Sequence, residues 1–343
     1  MKTAGHCLLV LLCLLALPLQ ARVTGDQLGV IVNTQDEDSQ KIAAYYRQKR
    51  GIPERNIIRV SFPPGRNALD EKTFNRVYRE VQKQTPAGVQ YYALAWSKPF
   101  RVACMSVTSA FAFGFDRRFC AKGCKPTRLS AYYNSDSDRP KDELGITPTM
   151  MLAGSSLQQV YAMIDRGVAA DGSRPQKATA YLLSTSDRAR NTRAWRYPVV
   201  KEHLSDRLPG SVHVEVLQAN VLKDRKDVMF YFTGLTRVNA LDSLTFLPGA
   251  IADHLTSSGG NLFGTKQMSI LRWLDAGATA SYGTVVEPCA FTQKFPNPGI
   301  VIQRYTGGES LIQAYWKSVA WPGQGVFVGE PLASPWHRPG AMQ

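Results

Sequence analysis

From residue 28 onward, apolar runs of strand length alternate with stretches of helical spacing. Leu28 to Asn33 predicts a buried strand, and Ile42 to Gln48 belongs to a helix that Gly51 and Pro53 end. Asn56 to Phe62 reads as the next strand, Lys72 to Lys83 as an amphipathic helix and Val89 to Trp96 as a third strand. Arg101 to Phe115 is rich in β-branched and aromatic residues, Tyr132 to Asp142 is an exposed loop, and Thr147 to Ala153 closes this half as a strand. Ser155 and Ser156, followed by Gln158 and Gln159, start a helix, and Asp165 to Gln176 reads as a link.

A second alternation follows. Lys177 to Ser184 is strand, Arg193 to Leu204 helix, and Val212 to Gln218, Val228 to Phe232 and Ser243 to Leu247 are strands. Helices are expected over Gly249 to Ser257 and Lys266 to Asp275, then a strand over Thr279 to Val286. Thr306 and Glu309 open the last long helix, and Gly325 to Val328 is the final strand. The pattern predicts an α/β protein with mainly parallel sheets, built as two consecutive units over residues 22–170 and 171–343.

Composition adds an address. Lys2, the apolar run Cys7 to Leu19 and the site Leu19-Gln20-Ala21 form a signal peptide over residues 1–21. No later segment offers the roughly 20 apolar residues of a spanning helix. The chain is therefore expected to be exported, to periplasm or extracellular space, with no transmembrane segment after cleavage. Net charge is +14, which favours acidic partners. Arg188, Arg190, Arg193 and Arg196 surround Trp195. In an exported chain these read as a solvated face, with anionic envelope polymer or extracellular polysaccharide as partner and no nucleic acid.

Four cysteines follow the leader: Cys104, Cys120, Cys124 and Cys289. Export makes disulfides the default, and the turn FCAKGC pairs Cys120 with Cys124. Cys104 and Cys289 are then bridged or free. No histidine lies near enough for a metal site, and Gly259-Gly260 and Gly307-Gly308 fit no nucleotide-binding pattern, so neither metal nor cofactor is expected.

The segments Ser106 to Cys124, Leu247 to Gly260, Ala276 to Cys289 and Ser318 to Leu332 resemble a family of exported bacterial proteins that occurs with exosortase-type sorting systems. The order of elements in the second half is also similar to the gingipain-like branch of the caspase-like cysteine peptidases. That resemblance implies two caspase-like, Rossmann-type three-layer units. Phe327-Val328-Gly329-Glu330-Pro331-Leu332 looks like the Gly-Asp-Pro run closing such domains, with Glu330 in place of Asp. It also implies a histidine in a Gly-His-Gly turn after one strand and a cysteine after the next. Here those turns read Thr233-Gly234-Leu235-Thr236 and Leu247-Pro248-Gly249, with neither residue present.

The expected function is therefore non-catalytic binding or a structural role. The alternative is a relocated site at the rim where Ser184 to Asp187, Thr233-Gly234, Pro248-Gly249 and Glu287 to Cys289 converge. There Cys289 would be nucleophile in a hydrolase or transpeptidase, His254 its base and Asp253 or Glu287 the orienter. Glu287 with Asp253 also has the form of a glycosidase pair. Trp321 and Trp336 could form an aromatic shelf for sugar.

Overall fold

The computed structural model describes residues 22–121 and 124–337. The expected leader, residues 1–21, and the centre of the FCAKGC turn lie outside them. The strands are β1 (Leu28–Asn33), β2 (Ile57–Val60), β3 (Ala68–Leu69), β4 (Tyr91–Leu94), β5 (Arg101–Val102), β6 (Met105–Ser106), β7 (Thr149–Met151), β8 (Ala178–Ser184), β9 (Val212–Gln218), β10 (Val228–Thr233), β11 (Phe246–His254), β12 (Ala280–Thr284) and β13 (Gly325–Gly329). Interleaved with them are helices α1 (Glu37–Arg50), α2 (Glu71–Gln84), α3 (Val107–Phe113), α4 (Pro140–Leu144), α5 (Leu157–Ala170), α6 (Tyr197–Leu204), α7 (Leu271–Asp275), α8 (Pro298–Thr306) and α9 (Leu311–Lys317).

Ten strands form one mixed, mostly parallel sheet in the order β2-β1-β4-β7-β13-β12-β11-β10-β8-β9, while β3, β5 and β6 make a small separate one. The protein is thus an α/β fold in which the two stretches of alternation lie edge to edge, meeting where β13 pairs with β7. Counted alone, the six later strands run 2-1-3-4-5-6, with the sixth antiparallel to its neighbour. Because β13 is antiparallel to β12 but parallel to β7, the two halves point in opposite directions. Their carboxyl rims therefore open at opposite edges of the sheet.

Local signals set most elements. Asp36 caps α1 by accepting from the amides of Asp38 and Ser39, and Gly51 ends it in the left-handed region at φ 61°. Asp70 and Ser156 cap α2 and α5 in the same way. The central strands β1, β4, β10 and β12 are buried at every position, as strands covered on both faces must be. The core also takes polar anchors. Glu330, just after β13, is fully buried; it accepts from the Tyr46 hydroxyl at 2.6 Å and pairs with the Arg50 guanidinium. The Glu-Pro turn thereby ties the last strand to α1.

Several expectations shift. Arg101 to Phe115 breaks into β5, β6 and α3, and α5 continues through the expected link to Ala170. The last long helix is opened by Ser310 with Gln313, not by Thr306 with Glu309. The largest change is at residues 249–257, expected as helix. Ala250 to His254 are the body of β11, fully or almost fully buried. Pairing with β10 jumps from Val228↔Phe246 to Phe230↔Ile251, a bulge that takes up Leu247 to Ala250. Gly249 makes it possible. Its φ is +86°, and a Cβ there would come within 2.9 Å of Pro335, Ala170 and the Tyr305 hydroxyl.

Candidate functional site

The parallel register brings the carboxyl ends of β8, β10, β11 and β12 to one rim: Leu182 pairs with Phe232, and Thr233 with His254. Side chains stitch that rim together. Thr185 Oγ1 donates to the Gly234 carbonyl at 2.8 Å, and Thr284 Oγ1 to the carbonyls of Thr256 and Ser257 at 3.2 and 3.1 Å. Ser184 to Asp187 and Thr233-Gly234 meet there as expected, and the turn with Glu287 to Cys289 follows β12, its Ala290 carbonyl accepting from Thr192 Oγ1 at 3.2 Å. Pro248-Gly249 is not part of it. The Gly249 amide donates to Thr279, the residue before β12, which places this turn at the opposite edge.

The four candidate catalytic residues do not form a constellation. Asp253 and His254 are consecutive in a strand, so their side chains leave opposite faces of the sheet. Asp253 is buried and meets Arg193, with Nη2 to Oδ1 at 2.5 Å, and the Tyr315 hydroxyl at 3.4 Å. Burial pushes its carboxyl up against the opposing pull of Arg193. His254 accepts at Nδ1 from the Trp273 indole N–H at 2.9 Å, and Nε2 pairs with the Met268 carbonyl at 3.1 Å, which requires its proton. Both ring nitrogens of a neutral imidazole are thus used. Asp253 cannot orient this ring, and the ring has no lone pair left for a thiol.

Burial lowers the His254 pKa to about 4. Its unfolded value is near 6.5, so between those values the unfolded chain binds more protons and stability rises with pH. We expect about 3 kcal/mol to be lost as pH falls from about 6.5 to about 4. Urea midpoints measured across that window should show the slope, and His254→Asn, whose Oδ1 can still accept from Trp273, should flatten it.

Cys289 is bonded to Cys124, and Cys104 to Cys120. The expected Cys120–Cys124 pair is therefore replaced by two bridges reaching out of the FCAKGC turn. Cys289 has no thiolate with which to attack. Its amide donates to Glu287 Oε1 at 2.8 Å, so the exposed Glu287 carboxylate caps its own turn. With Asp253 held by Arg193, Glu287 has no buried acid partner there, and the glycosidase reading fails on the same ground.

The turns that would carry a caspase-like dyad can be placed by strand. After β10 comes Gly234-Leu235-Thr236. After β11 comes Leu255 to Gly260, not Leu247-Pro248-Gly249 as expected, because β11 runs on to His254. The relocated turn also contains no cysteine. Two of its hydroxyls are pinned: Thr256 Oγ1 donates to Gln267 at 2.8 Å and accepts from Arg190 at 3.2 Å, and Ser258 Oγ donates to Gln267 at 3.0 Å. Nothing in the sequence marked Gln267.

The aromatic shelf is not formed. Trp336 is buried against Phe230 and Tyr305, whereas Trp321 stands half-buried beside Phe291. The basic cluster also departs from a solvated face, since Arg193 is fully buried and Arg190 pairs with Asp187. Beside this rim lies a cleft of about 250 Å³ whose lining includes Arg193, Arg196, Tyr133, Gln293, Asn297 and Trp321. Sequence reading missed it, because its walls come from four segments scattered between Leu129 and Trp321. Its available signal was Arg193-Ala194-Trp195-Arg196, where the three-residue spacing of a helical turn sets both arginines on one face.

No family model and no curated protein matches the chain. A solved structure described as "Structure of Protease" is similar over 91% of this chain and 79% of its own, at 11% identity and a TM-score of 0.44. A likeness at that score says nothing of activity. Among the described residues no helix is long and apolar enough to cross a membrane, and no cluster of three or more metal-ligating side chains occurs. The two disulfides fit a chain that matures in an oxidising environment.

Proposed function

We propose that this is an exported, caspase-like α/β protein without the peptidase dyad, acting by binding at the cell envelope or in secreted matrix. The reading extends to the exported family associated with exosortase-type sorting, and to periplasm or extracellular space as its compartment. The observation that carries it is the state of the two residues on which cysteine chemistry would depend: His254 is buried with both nitrogens engaged, and Cys289 is in a disulfide. The strand order of the second half supports the caspase-like part. A hydrolase using Cys289 and His254 has no supporting contact.

Electrophile labelling tests the proposal. Iodoacetamide applied to the mature, unreduced protein should leave Cys289 unmodified from pH 5 to 9. Stoichiometric, pH-dependent alkylation of Cys289 that His254→Ala abolishes would refute the non-catalytic reading.

A further inference from the structure

The cleft beside the rim carries an unbalanced charge. Arg193 is matched by Asp253, but Arg196 makes no ion pair with any described residue. Its guanidinium lies 4.7 Å from the Trp195 ring, which is 67% exposed. Packing on an indole positions the guanidinium without using its outer Nη donors. Both Arg193 and Arg196 also keep a buried Nε–H without a hydrogen-bond partner. An unpaired buried donor costs about 1–3 kcal/mol. Both Nε–H groups are sealed from solvent, so an acceptor in the cleft is left to the outer, Nη edge of Arg196.

The remaining walls select among acceptors. Trp321 and Tyr133 offer ring surface, and Gln293 and Asn297 offer side-chain amides. A single uncompensated cation suits a ligand with one charge per unit rather than a phosphate backbone, whose affinity is built from many Lys and Arg contacts. The lining comes from loops, short helical turns and the first turn of α8, so it presents no strand edge to an extended peptide. A saturated ring with a C–H face, hydroxyls and one carboxylate meets all of these walls.

We propose that this cleft binds a uronate residue of an acidic polysaccharide. The carboxylate pairs with Arg196, the C–H face of the pyranose packs on Trp321, and ring hydroxyls meet Gln293 and Asn297. This names a ligand class for the binding role proposed above and rests on that reading. The two fail separately, since labelling at Cys289 leaves the cleft untouched and the titration below does not involve the thiol.

The experiment is calorimetric titration of the mature, oxidised protein with α-1,4-linked trigalacturonate, alongside neutral maltotriose and inorganic tripolyphosphate. Trigalacturonate should bind at least about tenfold more tightly than either control, and Arg196→Gln should weaken it at least about tenfold. Trp321→Ala should weaken it by a comparable factor, and Arg196→Lys by less than Arg196→Gln. Arg196 makes no ion pair and its one ring contact is with exposed Trp195, so its variants should stay folded, which a thermal scan checks. The assignment is overturned by any of three results: no trigalacturonate binding, equal affinity in Arg196→Gln, or tripolyphosphate binding as tightly as the sugar.

Discussion

Arg193→Met should destabilise the protein by about 3–5 kcal/mol, the cost of breaking a buried ion pair from one side. Arg193 and Asp253 are both almost fully buried, at 3% and 1% exposure. The same guanidinium donates to the carbonyls of Thr233 at 2.9 Å and Pro296 at 3.2 Å. It also lies 5.5 Å from the Phe232 ring and 6.0 Å from that of Phe295. Removing it leaves a carboxylate in the core together with two carbonyls that lose a donor. Asp253→Leu alone should cost a similar amount, by stranding the cation. The double variant Arg193→Met with Asp253→Leu should recover much of the loss, because an apolar pair of similar volume carries no desolvation penalty. Urea midpoints of the four proteins give the coupling directly, and an Arg193→Met midpoint within about 1 kcal/mol of the parent would contradict this account.

That pair also shows what sequence could and could not disclose. Strands covered on both faces, such as β1, β8 and β13, were legible because they read as nearly continuous apolar runs. β11 was not. Ala250-Ile251-Ala252 followed by Asp253-His254 is compatible with helix by propensity, and only pairing with β10 across the bulge at Gly249 decides otherwise. The error propagated to the site. On a helix Asp253 and His254 could reach a common rim, whereas strand alternation sends one to Arg193 and the other to Trp273.

Two further features of the site depend on distance in sequence. The cleft joins Tyr133, Arg193, Gln293 and Trp321, whose proximity no local spacing records. Glu330 was visible as a substituted motif residue, but its role as the anchor for Tyr46 and Arg50 follows from β13 lying between the two halves of the sheet. The basic cluster shows the same limit, since composition gives its charge but not which arginine is matched.

Loss of the Cys124–Cys289 bridge should cost more than loss of Cys104–Cys120. The first closes a span of 165 residues and the second one of 16, and the two spans do not overlap. In the chain-entropy account a cross-link stabilises by restricting the unfolded chain, and the effect grows with the logarithm of the loop. The short loop is then worth about 3 kcal/mol and the long one about 5 kcal/mol. The native side favours the same order. Cys124 belongs to the first half of the chain and Cys289 to the rim turn after β12, where Cys289 and Ala290 both hold left-handed backbone, at φ 57° and 55°. Two successive non-glycine residues in that region are costly, so without the bridge this turn should relax. Denaturant midpoints of Cys104→Ser with Cys120→Ser, and of Cys124→Ser with Cys289→Ser, test the ranking. Amide exchange confined to residues 285–296 in the second variant would locate the relaxation. Equal midpoints, or the larger loss in the Cys104 and Cys120 variant, would mean that loop length does not govern these bridges.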